Sequence, residues 1–233
     1  MKGKIILIEG TDCSGKETQS KLLVKKLNEN GIKSAYFSFP NYDSPTGKIV
    51  GGPFLGKEYI SKSYFEEGSV NVDPKVSSLY YAADRLYNYD IIKKMLDDGI
   101  IIILDRYIYS NMAFQGAKFE EKEKRSEMYK WIDDLEFNFL KLPKPNITFF
   151  LHTPVNVIIK LLEKREEKPD GNETNKDYLI KAENSYFELC DLYNFCLLFS
   201  AAAPKQRPVP VKTTCHRILS CLCRMLFEFT EKK

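Results

Sequence analysis

The chain has 233 residues, of which 43% are hydrophobic and 29% are charged, a composition typical of a folded globular protein and not of a disordered one. Its 35 basic and 32 acidic residues leave a net charge of only +3, which argues against a protein that coats nucleic acid or an anionic membrane. The apolar runs are too short for a transmembrane helix, and six unevenly spaced cysteines predict neither a disulfide scaffold nor a zinc ribbon. We therefore expect a reducing, cytoplasmic protein without a membrane or nucleic-acid partner.

Short continuous apolar runs alternate with helical patterns along the chain. The runs at 5–8, 34–39, 100–104 and 149–151 predict strands buried on both faces. Between and after them, apolar residues at helical spacing occur at 22–27, 86–95, 128–139 and 157–162. This alternation predicts an α/β fold, a parallel sheet with helices on both faces, and the length fits one domain over residues 1–233.

The first apolar run leads directly into a glycine-rich loop that opens the first helix. The loop residues are Gly10, Thr11, Asp12, Cys13, Ser14, Gly15 and Lys16. This is the G-x-x-x-x-G-K pattern in its strand–loop–helix context. Backbone N–H groups and the helix N-terminus of such a loop bind phosphate, and the lysine brings a full charge to the β- and γ-phosphates. The sequence therefore predicts an ATP site and a P-loop NTPase-type sheet.

Two carboxylates are candidate Mg²⁺ ligands near this loop. Glu17 follows Lys16 where a Ser or Thr normally holds the ion, and Thr18 comes 100° further around the helix. Either Glu17 reaches the metal or the ion is held otherwise. Asp105 ends the apolar run 100–104, where P-loop proteins present a second Mg²⁺ group, and Arg106 beside it is a bidentate phosphate donor.

Several longer motifs occur in a fixed order. They are Glu9-Gly-Thr-Asp12 with Gly15-Lys16, Phe39-Pro40, Tyr80-Tyr81-Ala-Ala-Asp-Arg85, Asp105-Arg106-Tyr107 with Ser110-Asn111-Met-Ala-Phe114-Gln115-Gly116, and Leu142-Pro143-Lys144-Pro145. With them the chain resembles the thymidylate kinases, a family of nucleoside monophosphate kinases, from about residue 3 to about residue 195. The resemblance implies transfer of the ATP γ-phosphoryl group to dTMP with Mg²⁺, giving dTDP and ADP in dTTP biosynthesis, usually by a homodimer.

The resemblance also implies roles at the phosphates. The loop from Gly10 to Lys16, with Glu17 and Thr18, would bind ATP. Asp12 would meet the deoxyribose 3′-hydroxyl near the metal, and Arg106 would bind the dTMP phosphate. The polar segment 164–176 would be a small lid that brings Arg165 to the phosphates, although it could also be a plain solvated connection.

A second group of residues would form the nucleoside pocket. The resemblance implies that Tyr81 stacks on thymine, Arg85 bonds the base, and Phe114 crowds the 2′ position. It also implies that the pocket is completed by Phe39, Ser110 and Gln115. From the residues alone, Tyr81 and Phe114 also suit a core, and Arg85 suits an ion pair with Asp84 or a neighbouring glutamate.

The chain departs from the family pattern at two places. Asn41 and Tyr42 follow Phe39-Pro40 where many relatives carry an arginine that grips the acceptor phosphate, and Lys48 is a candidate substitute. Residues 41–73 are predicted to be irregular. The tail, 196–233, is Cys-rich and Pro-interrupted, and its apolar helical face at 218–229 suits either docking on the domain or a partner.

Three functions remain open at this stage. The first is an active dTMP kinase, the second a kinase for another nucleoside monophosphate, and the third a catalytically impaired nucleotide-binding protein. Glu17 and the unusual tail favour the third, whereas Lys16, Asp105 and Arg106 argue against it.

Overall fold

The computed structural model describes residues 2–163 and 175–199, together with the single positions 214, 218 and 220. Within these residues the fold is a five-stranded, all-parallel sheet with the strand order β2-β3-β1-β4-β5. The strands are β1 (Ile5–Glu9), β2 (Ser34–Ser38), β3 (Ile101–Asp105), β4 (Ile147–His152) and β5 (Cys196–Phe199). The four predicted strands are thus confirmed.

The helices of the described residues cover both faces of the sheet. They are α1 (Lys16–Glu29), α2 (Pro45–Ile49), α3 (Pro74–Asp97), α4 (Ile108–Gly116), α5 (Lys122–Asp133), α6 (Val155–Leu162) and α7 (Lys176–Tyr193). Because side chains alternate along a strand, β1 feeds two cores: Ile5 and Leu7 pack in one cluster, Ile6 and Ile8 in the other. The predicted α/β, P-loop NTPase-type architecture is therefore confirmed. None of the described helices is long and apolar enough to cross a membrane.

Two regions differ from expectation. Residues 41–73 were predicted to be irregular, but they contain α2 and a π-helical turn, Val50–Phe54, whose Val50 and Phe54 are buried in a small core beneath Tyr80 and Tyr81. The region 196–233 begins with β5, which the sequence did not predict. β5 is a short apolar run, Cys196-Leu-Leu-Phe199, that lies at the edge of the sheet and is only half-buried.

Parts of the sequence predictions fall outside the described residues. This applies to Arg165 and to positions 164–174 of the predicted lid, and to most of the tail. Within the tail, Ile218 is fully buried and packs in the same core cluster as Ile8 and Ile103. The tail therefore contacts the sheet at this position, in agreement with a helix that docks on the domain.

The sheet order brings two functional segments together. Strands β1 and β3 are neighbours, with Ile8 opposite Asp105 in the register. The glycine-rich loop follows β1, Asp105 is the last residue of β3, and Arg106 follows it. Both segments therefore lie at the carboxyl edge of the sheet, where ligands bind in open α/β folds.

Candidate active site

The glycine-rich loop has the backbone that its sequence predicts. Gly15 has a φ of 84° at the N-cap of α1, a left-handed conformation that glycine adopts without strain. At Gly10 a Cβ atom would lie 2.6 Å from the Ser14 hydroxyl oxygen and 2.7 Å from the Leu151 carbonyl oxygen. The two glycines therefore serve different purposes, a backbone turn and a close approach to β4.

Lys16 is folded back onto this loop. Its side chain is buried, and Nζ donates to the Thr11 carbonyl oxygen at 2.6 Å. Burial lowers the pKa of Lys16 to about 8, and the neighbouring carboxylates of Asp105 and Asp12 oppose that shift. A bound triphosphate would add negative charge here, so the site favours the charged lysine once nucleotide is present.

The structure turns Glu17 towards solvent. Its carboxylate is exposed and forms an ion pair with Lys21, one helical turn further along α1, and Thr18 is exposed as well. The charge of Glu17 still contributes to the raised pKa of Asp105, so the two carboxylates lie on the same side of the molecule.

Arg106 joins the end of β3 to the loop. Its guanidinium forms an ion pair with Asp12, and Nη1 donates to the Gly10 carbonyl oxygen at 3.0 Å and to the Ser110 hydroxyl at 3.2 Å. Burial by itself would raise the pKa of Asp12, but Arg106 and Lys16 together hold it below its ordinary value. Asp12 is therefore an anion held between two cations.

Asp105 is a nearly buried carboxylate beside these groups. It accepts a hydrogen bond from the Tyr36 hydroxyl at 3.4 Å. Burial raises the pKa of Asp105, and the charges of Lys16 and Arg106 oppose the shift. Among the described residues no three His, Cys, Asp or Glu side chains converge as a metal cage. This donor set fits Mg²⁺, which proteins usually hold by one or two carboxylates with phosphate oxygens and water.

Glu9 is a site residue to which the sequence analysis gave no role. It is fully buried at the end of β1 and accepts from the backbone N–H groups of Tyr107 and Ser110 at 3.0 and 3.1 Å. Its second oxygen accepts from the Ser110 hydroxyl and, at 3.1 Å, from the Tyr186 hydroxyl. Glu9 thus caps α4 and fixes Ser110 beneath Arg106. A glutamate ending an apolar strand is the signal that could have found it.

A cleft opens beside Arg106. Its lining residues are Asp12, Phe39, Pro40, Tyr42, Leu55, Tyr81, Arg85, Arg106, Tyr107, Ser110, Asn111 and Phe114. Every residue expected in the nucleoside pocket lies here except Gln115. Gln115 is buried on α4 and is not one of the lining residues, so its role in the pocket stays a prediction.

Arg85 is neither exposed nor paired with Asp84. Its guanidinium is buried and binds both carboxylate oxygens of Glu136, which lies 51 positions away in sequence. Asp84 instead accepts from the Asn41 backbone N–H at 2.8 Å and the Ser44 hydroxyl at 2.9 Å. It therefore anchors the loop after Phe39-Pro40 to α3, a link that sequence spacing does not reveal.

Tyr81 and Phe114 each have one side in the cleft and one side in the core. Tyr81 packs edge-on against Phe54, with ring centroids 5.7 Å apart. The guanidinium of Arg106 lies 5.4 Å from the centroid of Phe114. Both residues line the cleft, so the core and pocket interpretations of these two aromatics are compatible.

Asn111 lines the same cleft and was quoted in the motif without a role. Its side-chain nitrogen donates to Glu136 at 3.0 Å. Its Oδ1 atom is buried and has no hydrogen-bond partner within the described residues. Because buried polar atoms are nearly always paired, this oxygen is a candidate acceptor for a ligand.

Comparison with known proteins agrees with this geometry. The family model described as thymidylate kinase matches residues 8–207. A probable thymidylate kinase of Methanocaldococcus jannaschii is 31% identical over 83% of this chain and 85% of its own length. The human thymidylate kinase is 32% identical over 64% of this chain and 61% of its own. The solved thymidylate kinase of Candida albicans superimposes with a TM-score of 0.70 at 25% identity, covering 95% of this chain and 91% of that one. With a family match over most of its length and this cleft beside its phosphate loop, the chain belongs to the thymidylate kinase family.

Proposed function

We propose that the cleft is the dTMP site, and the glycine-rich loop the ATP site, of an active thymidylate kinase. The enzyme is a phosphotransferase that moves the γ-phosphoryl group of ATP to dTMP, giving dTDP and ADP. The observation that carries the assignment of sites is the Arg106–Asp12 ion pair, because it joins the phosphate loop to the wall of the cleft. An acceptor phosphate bound to Arg106 would lie next to a donor phosphate on the loop.

The charges where the glycine-rich loop meets the cleft support phosphoryl transfer between the two sites. Phosphoryl transfer needs positioning and neutralisation of the oxygens around phosphorus rather than covalent chemistry by the protein. Lys16 would neutralise the donor phosphates and Arg106 the acceptor phosphate. Asp12, kept ionised by both cations, would accept a hydrogen bond from the deoxyribose 3′-hydroxyl.

The far end of the cleft fits thymine. Thymine offers an acceptor at O4 and a donor at N3. Arg85 can only donate, and the unpartnered Oδ1 of Asn111 can only accept, so the pair complements both atoms. Tyr81 would stack on the ring, and Phe114 and Ser110 would line the sugar side.

Mg²⁺ and the lid complete the proposed catalytic machinery. Asp105 would hold the ion directly or through water. Glu17 could coordinate the ion only if its carboxylate gave up the ion pair with Lys21. When bound, the ion would neutralise charge on the transferring phosphates. Arg165 of the lid, which lies outside the described residues, would add a further cation.

We assign the missing acceptor-phosphate cation to Lys57. Asn41 cannot replace an arginine, because its side chain donates to Asn88 at 2.8 Å, and Lys48 is exposed on α2. The Lys57 ammonium lies 5.4 Å from the ring centroid of Tyr42, which lines the cleft. Its charge also contributes to the lowered pKa of Asp12, so it reaches the cleft electrostatically.

A homodimer is supported by one exposed helix face. Along α3 the residues Val76, Leu79, Leu86, Tyr87 and Ile91 are each between 41 and 57% exposed. Their spacing places them on one side of the helix, as an apolar strip about 22 Å long. A second copy of the chain would cover this strip. A cytoplasmic location is supported by Cys13, Cys190 and Cys196, because no disulfide joins them to one another within the described residues.

A substrate panel tests the proposed function. ADP release would be followed with ATP, Mg²⁺ and each of dTMP, dCMP, dAMP, dGMP and UMP. We expect efficient turnover of dTMP and little with dCMP. Preferred turnover of a nucleotide other than dTMP would favour a different monophosphate kinase, and ATP binding without turnover of any acceptor would favour an impaired nucleotide-binding protein.

A further inference from the structure

Glu136 is a fully buried carboxylate outside every motif that the sequence analysis used. It lies in a π-helical turn, Asp134–Phe139, that continues α5. The turn directs the carboxylate between α3 and α4, the two helices that carry Arg85 and Asn111. Burying a charge is costly unless the charge is paired, so its contacts account for its presence there.

Both oxygens of Glu136 are used. Oε2 accepts from Arg85 Nε, and Oε1 accepts from Arg85 Nη2 at 2.6 Å. Oε1 also accepts from Asn111 Nδ2 at 3.0 Å. One carboxylate thus binds the two residues that face the base end of the cleft, one from each helix.

These bonds select which atoms remain for a ligand. With Nε and Nη2 of Arg85 engaged, Nη1 is the guanidinium nitrogen that Glu136 leaves open. An amide can present either its oxygen or its nitrogen, and a bond from Nδ2 to a carboxylate permits only one orientation, with Oδ1 on the other side. The buried, unpartnered Oδ1 agrees with that orientation.

We propose that Glu136 is the positioning residue that sets the base specificity of this enzyme, by fixing one donor on Arg85 and one acceptor on Asn111 side by side. This rests on the proposed dTMP site. The neutralised Arg85–Glu136 pair suits an uncharged base, and the donor–acceptor order fits O4 and N3–H of thymine. Cytosine presents the reverse order, a donor amine and an acceptor nitrogen.

A purely structural ion pair is the alternative, and the chain offers a matched control for it. Arg125 and Glu188 form a second arginine–carboxylate pair, with bonds of 2.6 to 3.2 Å, and Glu188 also accepts from the Tyr129 hydroxyl at 2.9 Å. This carboxylate also holds two partners, but none of the three residues lines the cleft. Loss of either carboxylate should lower stability, whereas only Glu136 should affect the choice of base.

The experiment compares kcat and KM for dTMP and dCMP in the wild type, Glu136→Gln and Glu188→Gln, with thermal unfolding of each. We expect Glu136→Gln to raise KM for dTMP about tenfold or more, to change kcat less, and to narrow the dTMP to dCMP preference at least about fivefold. Glu188→Gln should keep the wild-type preference.

A second variant keeps the test decisive if Glu136→Gln does not fold. Glu136→Asp retains the charge that Arg85 needs but withdraws the carboxylate by one methylene, so it should fold and still narrow the preference. A folded Glu136 variant with the wild-type preference, or with the same change as Glu188→Gln, would overturn the proposal. Absence of dTMP turnover in the wild type would instead overturn the proposed function.

Discussion

Lys16 is the single side chain on which transfer should depend most. Its charge lies in a buried site beside the loop, where it would meet the donor phosphates directly. We expect Lys16→Ala to lower kcat by about 10²-fold or more, by analogy with the removal of one transition-state donor. Steady-state kinetics at saturating ATP would measure the loss, with thermal unfolding as the control for folding. Near-wild-type turnover would remove Lys16 from the phosphate site.

The lowered pKa of Lys16 should also make the affinity for ATP depend on pH. Without nucleotide the pKa of Lys16 is lowered to about 8 by burial. Bound phosphates favour the charged form, so above pH 8 ATP binding should take up a proton. Affinity should then fall as the pH rises, by at most about tenfold per pH unit. Calorimetry at pH 9 in buffers of different ionisation enthalpy measures the uptake, which should be absent in Lys16→Arg because a guanidinium does not titrate there.

Lys57 and Lys48 form a matched pair for the acceptor phosphate. Lys57 lies beside Tyr42 at the cleft, whereas Lys48 is exposed on α2. We expect Lys57→Ala to raise KM for dTMP about 10- to 150-fold, the size of one charge-assisted hydrogen bond, and Lys48→Ala to leave it unchanged. The opposite result would return the role to Lys48, as the sequence suggested.

At the scale of secondary structure, α4 depends on a cap supplied by another element. Its first turn lies over Glu9 of β1, which accepts two of its backbone N–H groups. Glu9→Ala would leave these buried donors unpaired, and we expect it to lower the free energy of unfolding by about 2–4 kcal/mol. Urea denaturation measures this. Glu29→Ala, which removes an exposed carboxylate paired with Lys26, should change stability by less than about 0.5 kcal/mol.

The capped helix also links stability to catalysis. Ser110, held by Glu9, is a partner of Arg106, so movement of α4 would displace the guanidinium from Asp12. We therefore expect activity of Glu9→Ala to fall more than its folded fraction at the assay temperature. Activity that simply follows the folded fraction would limit Glu9 to a structural role.

For the whole molecule, the exposed strip of α3 predicts association of two chains. A charge inside an apolar interface is costly to bury, so Leu79→Asp or Leu86→Asp should shift the protein to a single chain in sedimentation equilibrium. Leu192→Asp is the control, because Leu192 is exposed on α7, away from this strip. A wild type that already sediments as one chain at micromolar concentration would contradict the dimer.

The sequence by itself determined those features that depend on local chemistry. Apolar runs marked the strands β1 to β4, and the loop from Gly10 to Lys16 predicted the phosphate site, because both signals depend only on neighbouring residues. The motifs at Glu9, Phe39 and Asp105 each end or follow a strand at one edge of the sheet, whereas Tyr81 and Arg85 reach the cleft from α3.

Tertiary structure decided which partner each side chain received. Arg85 binds Glu136 across 51 positions, Glu9 caps a helix about 100 positions away, and the ammonium of Lys57 lies 5.4 Å from the ring centroid of Tyr42. Such pairs depend on how α3, α4 and the π-helical turn pack together, which no local pattern encodes. The edge strand β5 has an apolar sequence, Cys196-Leu-Leu-Phe199, and it is its pairing with β4 that defines it as a strand.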